Sequence, residues 1–254
     1  MISKFVAASC IHAPFQDEEG REWLCSTIAE VKPTHIIILG DVMDAVAASV
    51  HGDEVSHSLE DEFESAAGYL NSLREAWPEA KCVWNHGNHD DNILRKDPRR
   101  IPADLRSLCD WNNHKEFGKE FRRWKQRPYV KGKKGCYQLG QVIFYHGFDI
   151  SVNSDQDEGL QMNYACGAHP WRLTVRGHTH RPVDITQARR TSKVLLPNWH
   201  CNVGSIGLGN RQPEYMLRKD TSLWGRAACV GEVKMGRASR KVAKEWEAEI
   251  RRMP

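Results

Sequence analysis

The chain has 254 residues, of which 40% are hydrophobic and 27% are charged, as is typical of a soluble globular domain with a sizeable core. No apolar run approaches the roughly 20 residues of a transmembrane helix, which argues against a membrane-spanning protein. The eight cysteines are scattered, and the first motif follows a short apolar run rather than a signal peptide. We therefore expect reduced thiols and a cytoplasmic location. The length predicts one domain over residues 1–254.

The net charge of +3 is unevenly distributed along the chain. Residues 1–90 contain 5 Lys and Arg against 16 Asp and Glu, which gives −11, whereas residues 91–135 contain 14 against 6, which gives +8. Such a positive segment predicts an anionic partner larger than a lone phosphate. Solvated helix faces would produce the same pattern, and this alternative stays open.

The first third of the chain alternates apolar runs with amphipathic segments. The first predicted helix has Asp17 as its N-cap, and the second begins at a capping box over Ser58–Asp61. The order strand, helix, strand predicts parallel strands in an α/β fold. In chain order, the predicted elements are a strand at Phe5–Ala8, a helix at Glu18–Val31, a strand at Ile36–Leu39, a helix at Leu59–Trp77 and a strand at Lys81–Trp84.

The positive segment interrupts this alternation. Phe117, Phe121 and Trp124 recur at helical spacing, which predicts a basic helical insert over about residues 91–129 with an apolar stripe toward the core. The basic side chains outside that stripe are candidates for contacts with a phosphate backbone. The candidates that we single out for substrate binding are Arg95, Arg99 and Arg100.

The rest of the chain contains mostly short strand-like runs. A hairpin turn at Lys131–Gly135 precedes two predicted strands, at Cys136–Leu139 and Val142–Tyr145. Residues 149–172 are polar and predict an irregular loop. Runs near residue 183 and over residues 194–196 and 227–230 predict a second sheet, and residues 238–252 predict a basic C-terminal helix.

Five of the apolar runs lead directly into metal-binding or proton-transferring side chains. In open α/β sheets, ligands bind beyond the carboxyl ends of the strands, so these side chains are expected to meet at one edge. The pattern therefore predicts a polar functional site. The five stretches are Cys10-Ile11-His12, Gly40-Asp41-Val42-Met43-Asp44, Gly87-Asn88-His89-Asp90, His146-Gly147 and Gly177-His178-Thr179-His180.

In type and order these motifs resemble those of the calcineurin-like metallophosphoesterase superfamily. Its pattern is Asp-x-His, Gly-Asp-x-x-Asp, Gly-Asn-His-(Asp/Glu), a lone His and Gly-His-x-His, and the match runs from about Ser9 to Ser205. The resemblance implies a four-layer α/β/β/α sandwich, with two mixed sheets packed together and helices outside. It also implies hydrolysis of a phosphoester at a dinuclear metal centre. One departure is that Cys10 stands where the family has its first Asp.

The resemblance further implies a role for each motif residue. Two divalent ions would attract phosphate and acidify a water between them, which attacks phosphorus in line. His89 would be the general acid, with Asn88 also contacting substrate, and Asp90 and Asp44 would orient His89 and a ligand histidine. One ion would be held by Cys10, His12, Asp41 and His180, and the other by Asp41, Asn88, His146 and His178.

Cys10 permits two interpretations. A thiolate keeps the negative charge of the missing carboxylate and supplies a good donor atom, which favours Mn, Zn or Fe over Mg. Alternatively, Cys10 is a buried residue without a metal, and the first metal site is weak.

Three functions are compatible with these motifs. The positive segment favours a phosphodiesterase or nuclease that acts on nucleic acid or nucleotide diesters. A phosphomonoesterase acting on a nucleotide, a protein or a small metabolite is the alternative. A nucleic-acid-binding module with a degenerate site is the third, although the complete set of His, Asn and Asp argues against it. The sequence makes no prediction of the oligomeric state.

Overall fold

The computed structural model describes residues 1–45, 57–94, 110–148, 154–187, 197–207, 221–235 and 243–254. Its strands form two separate sheets. In chain order the strands are β1 (Ile2–Ala8), β2 (His35–Ile38), β3 (Lys81–Asn85), β4 (Lys125–Arg127), β5 (Tyr137–Leu139), β6 (Val142–Phe144), β7 (Arg172–Arg176), β8 (Pro182–Gln187), β9 (Asn198–Val203), β10 (Ala227–Lys234) and β11 (Trp246–Arg252).

Both sheets are mixed. The first has the spatial order β11-β10-β1-β2-β3-β4, in which β1 to β4 run parallel while β10 and β11 are antiparallel to their neighbours. The second has the order β5-β6-β7-β9-β8, with β6, β7 and β9 parallel and an antiparallel strand at each edge. The parallel strands therefore present their carboxyl ends together.

The helices begin where the sequence predicts caps. Helix α1 (Glu18–Val31) starts after Asp17, whose carboxylate accepts a hydrogen bond from the Gly20 amide. Helix α2 (Leu59–Ala76) starts at a reciprocal capping box between Ser58 and Asp61. Such caps satisfy amide donors that the first turn leaves free. The other α-helices in the described ranges are α3 (Asn88–Leu94), α4 (Gly118–Phe121) and α5 (Ser154–Ala165).

Three apolar clusters separate four layers. The first, with Leu24, Ile28 and Leu70, lies between α1, α2 and the first sheet. The second joins side chains of the two sheets, such as Phe5 and Phe144, whose rings meet edge to face at 5.0 Å. The third lies between the second sheet and α5. This arrangement confirms the predicted α/β/β/α sandwich of two mixed sheets. No helix in the described ranges is long and apolar enough to cross a membrane.

The predicted C-terminal helix is wrong. Trp246–Arg252 is strand β11, which pairs with β10, and residues 238–242 lie outside the described part. Trp246 and Ile250 are four residues apart, a spacing that suits a helix and a strand equally. Ala248 decides between them, because all three side chains pack into the cluster between the sheets while Glu247 and Glu249 are exposed. This alternation has the period of a strand.

The basic helical insert is only partly helical. Residues 95–109, which include Arg95, Arg99 and Arg100, lie outside the described part. Beyond them, α4 is a single turn, and the chain then joins the first sheet as β4. Phe121 and Trp124 are buried as expected, but a short turn and pairing with β3 bring them there rather than one long helix.

Two smaller expectations also change. The predicted irregular loop at residues 149–172 contains helix α5, whose inner face includes the buried polar residues Glu158 and Asn163. The strand over residues 227–230 belongs to the first sheet, because β10 pairs with β1. The run near residue 183 is β8 of the second sheet, and residues 194–196 lie outside the described part.

Candidate metal centre

The loops that follow β1 and β2 are joined by backbone hydrogen bonds. The amides of Cys10, Ile11 and His12 donate to the carbonyls of Gly40 and Asp41 over 2.8–3.0 Å. These bonds extend the pairing of β1 and β2 beyond the strands. The first two motifs are therefore fixed side by side.

Several site residues have left-handed backbone conformations, which cost L-residues about 1–2 kcal/mol each. Such strained residues tend to cluster at active sites and ligand-binding sites. The φ angles are 58° at Cys10, 54° at His12, 51° at Asp41, 72° at His178 and 59° at His180.

Glycines allow these loops to approach each other. A Cβ atom at Gly87 would overlap the Asp41 carboxylate, and one at Gly177 would overlap the Ser9 side chain beside Cys10. Both motif glycines are therefore required by close contact between two loops.

The first cluster consists of Cys10, His12, Asp41 and His180. All four are buried, and one potential ligand atom from each lies within 4.8 Å of the others. The Nε2 atoms of His12 and His180 are 3.2 Å apart, and His12 Nε2 is 3.9 Å from Asp41 Oδ2. The structure thus brings together the four residues assigned to one ion by the resemblance.

The second cluster forms around His146. Its Nε2 atom is 3.1 Å from Asp41 Oδ2, from Asn88 Oδ1 and from His178 Nδ1. Asp41 therefore belongs to both clusters. In this way the structure also brings together the four residues assigned to the other ion.

The hydrogen bonds of the imidazoles show that the clusters suit cations. His12 Nδ1 donates to Asp44 Oδ1 over 2.8 Å, and His146 Nδ1 donates to the Leu39 carbonyl over 2.5 Å. In the neutral rings each Nε2 then carries a lone pair. The His146 lone pair converges with carboxylate and amide oxygens, which are also acceptors. A cation relieves this repulsion, so the residues present fit a divalent metal ion.

Cys10 lies among these acceptors with its thiol fully buried, 3.1 Å from Ser9 Oγ. Burial raises the pKa of Cys10 well above its usual range, and the negative charge of Asp41 adds to the effect. A metal ion reverses this, because a coordinating thiol loses its proton. The position of Cys10 within the cluster fits the ligand interpretation.

His89 lies beside the clusters and is oriented by Asp44. Its Nδ1 atom is 2.7 Å from the Asp44 carbonyl and 3.3 Å from Asp44 Oδ1. Its backbone amide donates to Asp41 Oδ1. Burial acts to lower the pKa of His89, but the charges of Asp41 and Asp44 outweigh it, and the pKa is raised. The side chain is 19% exposed, so substrate can reach it.

Asp90 has a different position from the predicted one. Its carboxylate accepts hydrogen bonds from the Gly87 amide, the Trp84 indole and the three consecutive amides of residues 41–43 over 2.8–3.2 Å. These contacts place it under the backbone of the Gly-Asp-x-x-Asp loop rather than against the His89 ring. The ring of His89 contacts Asp44, while Asp90 acts on His89 through its charge, which helps to raise the pKa of His89.

The site is also supported by residues that the sequence analysis did not clearly identify. Asn202 donates to the Gly177 carbonyl and to Thr179 Oγ1, which fixes the Gly-His-x-His loop. Ser205 Oγ donates to the Cys10 carbonyl over 2.7 Å. Trp224 packs edge-on against His180 with 4.5 Å between the ring centres. Trp224 follows no motif, and nothing in the sequence signals its position.

A family model described as calcineurin-like phosphoesterase matches residues 3–182. Among curated proteins, none matches the chain.

Solved structures with similar folds have low sequence identity. YfcE, a phosphoesterase from E. coli, is 15% identical over 91% of this chain and 88% of its own, with a TM-score of 0.40. Vacuolar protein sorting 29 from Cryptosporidium parvum is 13% identical over 99% and 98%, with a TM-score of 0.42. A hypothetical protein from Thermus thermophilus is 15% identical over 99% and 100%, with a TM-score of 0.46.

Proposed function

Because the chain belongs to the calcineurin-like phosphoesterase family, we propose that it is a metal-dependent phosphodiesterase or nuclease acting on nucleic acid or nucleotide diesters. Membership of the family supports hydrolysis of a phosphoester with divalent metal ions. The diester substrate is our own inference. The observation that carries it is that both ends of the positive segment, residues 91–135, lie at the metal clusters.

The first end of this segment continues helix α3, which begins at the cluster residue Asn88. The other end returns through β4, which runs parallel to β3 with Asn85 opposite Arg127. Residues 128–134 therefore leave β4 at the same edge as the motif after β3. A segment of charge +8 anchored on both sides of the site would attract a polyanion to it.

An aromatic pair at this second end offers a surface for a base. Tyr129 stacks on Phe148 with 4.8 Å between ring centres, and it meets the ring of His146 at 5.8 Å. Lys131 Nζ is 5.7 Å from the centre of the Phe148 ring. Aromatic side chains next to a cation are the usual contacts of single-stranded nucleic acid.

The proposed chemistry assigns separate tasks to the two clusters and to His89. Cys10, His12, Asp41 and His180 would hold one ion, and Asp41, Asn88, His146 and His178 a second. When bound, such ions neutralise phosphate charge and make water nucleophilic at neutral pH. Since Nδ1 of His89 is engaged by Asp44, the remaining Nε2 would hold the proton that is donated to the leaving oxygen.

The test is an activity panel on metal-free protein reloaded separately with Mn, Zn, Fe and Mg. Bis-p-nitrophenyl phosphate, p-nitrophenyl phosphate and labelled single- and double-stranded DNA and RNA are compared. We expect cleavage of the diester and of at least one nucleic acid. Cleavage of the monoester alone would overturn the diester assignment, and binding of nucleic acid without any cleavage would overturn the enzymatic one.

The variant His89→Ala tests the general acid. We expect it to keep its metal content but lose about 10²–10⁴-fold in turnover on substrates with poor leaving groups. The loss of turnover should be smaller for p-nitrophenyl esters, because p-nitrophenolate leaves without needing a proton. Equal losses on both types of substrate, or unchanged rates, would contradict this role.

A further inference from the structure

Two cysteines that belong to neither metal cluster lie in direct contact. The Sγ atoms of Cys136 and Cys166 are 3.1 Å apart. Cys136 stands between the turn at Lys133–Gly135 and strand β5, and Cys166 directly follows helix α5. Thirty positions separate them in the sequence, so the contact is made by the fold and not by local chain geometry.

The pair lies just beneath the surface of the protein. Cys136 is 3% exposed and Cys166 is 8% exposed, but the next two residues, Gly167 and Ala168, are at the surface. The contact with Cys136 is the first cause that lowers the pKa of Cys166 below its usual range, and Arg172 and Lys133 contribute positive charge. A thiolate next to a second thiol is the arrangement of reactive cysteine pairs.

A second cysteine pair provides a contrast. Cys201 on β9 and Cys229 on β10 also interact, but both are 0% exposed in the cluster between the two sheets. Burial raises the pKa of Cys201 well above its usual range. This pair is closed to solvent, so it is not expected to react.

We propose that Cys136 and Cys166 form a modification site, at which a peroxide converts the two thiols into a reversible intramolecular disulfide. The Cys166 thiolate attacks the peroxide oxygen and becomes a sulfenic acid, and hydroxide leaves. The Cys136 sulfur then attacks the Cys166 sulfur, and water leaves. Overall, two thiols and one hydrogen peroxide give one disulfide and two waters. The sulfurs need to approach by about 1 Å to reach a bonding distance.

The disulfide would tie the end of α5 to the hairpin of β5 and β6. Helix α5 also carries Glu158, which accepts a hydrogen bond from the Phe148 amide and forms a buried ion pair with Arg176. Gly147, between His146 and Phe148, packs on the Arg176 guanidinium. The cross-link would therefore stabilise the layer that supports the His146 loop. In a reducing compartment such a bond forms transiently, as in redox-sensing proteins.

The experiment treats the reduced full chain with stoichiometric hydrogen peroxide, blocks the remaining thiols with N-ethylmaleimide and maps the peptides by mass spectrometry. We expect one cross-linked peptide that contains Cys136 and Cys166, has lost two hydrogens and is released by dithiothreitol. The midpoint temperature of thermal unfolding should be roughly 5–10 °C higher for the oxidised protein than for the reduced protein.

Three variants separate this site from general oxidation. Cys136→Ser and Cys166→Ser should each abolish the cross-link and the rise in unfolding temperature, whereas Cys25→Ser on α1 should leave both unchanged. Cys136→Ser should accumulate a sulfenic acid at Cys166 that dimedone traps. The proposal would be overturned if Cys136 and Cys166 both remained free thiols after oxidation, or if the cross-link joined other cysteines. None of these results depends on the phosphodiesterase assignment.

Discussion

At the scale of single residues, Asp44 contacts two histidines of the site, His12 and His89. Its Oδ1 atom accepts from His12, a proposed metal ligand, and its carbonyl accepts from His89, the proposed acid. A carboxylate behind a ligand imidazole fixes the tautomer of the ring and raises its basicity. We therefore expect Asp44 to affect both metal binding and proton transfer.

The variant Asp44→Asn tests this link. It keeps the shape of the side chain but removes the charge, so we expect metal affinity to fall about 10–100-fold, as for other partners of ligand histidines. Turnover with saturating metal should also fall, because His89 loses a negative neighbour. Metal titration calorimetry measures the first effect. Glu64→Gln on the exposed face of α2 is the control, and an equal loss in both variants would contradict the assignment.

Cys10 provides the second prediction at this scale. X-ray absorption of the Zn-loaded protein should show a sulfur scatterer at about 2.3 Å. The variant Cys10→Asp should lose this scatterer and bind Mn and Mg better relative to Zn, since a carboxylate is a harder ligand than a thiolate. Cys25→Ser should retain the sulfur signal. Only oxygen and nitrogen scatterers in the unmodified protein would reject Cys10 as a ligand.

At the scale of elements, we expect the positive segment, residues 91–135, to favour polyanionic substrates at the site. The triple variant Arg95→Ala, Arg99→Ala and Arg100→Ala should weaken nucleic-acid binding while cleavage of bis-p-nitrophenyl phosphate stays unchanged. The slope of log K against log salt should decrease by roughly 0.9 for each duplex phosphate contact that is lost. Fluorescence anisotropy at several salt concentrations measures this slope. The variant Arg251→Ala, on the far edge strand β11, is the matched control.

Elements differed in how well the sequence predicted them. The motif loops could be predicted because each polar group directly follows an apolar strand, and parallel strands share one edge. Helix α5 could not, since its inner face carries Glu158 and Asn163, which are matched by Arg176 and Arg172 on the next strand, β7. Partners that only the tertiary structure supplies leave no periodic apolar signal.

The same limit applies within the candidate site. The convergence of Cys10, Asp41 and His146 follows from motif order and strand ends. The contacts of Asp90 do not, because a carboxylate after an Asn-His pair gives no indication that it will bind backbone amides of another loop. The chemical roles of the site residues remain predictions until the variants are measured.

At the scale of the whole molecule, the two sheets must remain packed against each other, and His35 lies at their contact. Its ring is buried near Tyr137 of the second sheet. Burial lowers the pKa of His35, and the charges of Lys81 and Lys125 lower it further. The neutral form is thus favoured in the folded state, whereas the unfolded chain has the ordinary pKa of about 6.5.

This difference predicts a contribution to acid sensitivity. Stability that is present above about pH 6.5 is lost as the pH falls toward the lower pKa of the folded state, because the unfolded chain then binds a proton more readily. The variant His35→Gln should therefore lose less unfolding free energy than the unmodified chain between about pH 8 and about pH 5. Urea unfolding at several pH values measures the difference. Parallel pH profiles for the two proteins would contradict the prediction.

The pairing of β1 with β10 has a consequence for how the chain is made. Ile2 lies opposite Lys234, so the central strand of the first sheet finds its outer neighbour more than two hundred residues later. At a synthesis rate of 5–20 residues per second, β1 has an open edge for roughly ten to forty seconds after it leaves the ribosome. During that time any other nascent strand can add to this edge, so accurate production of the protein depends on what covers β1 during translation.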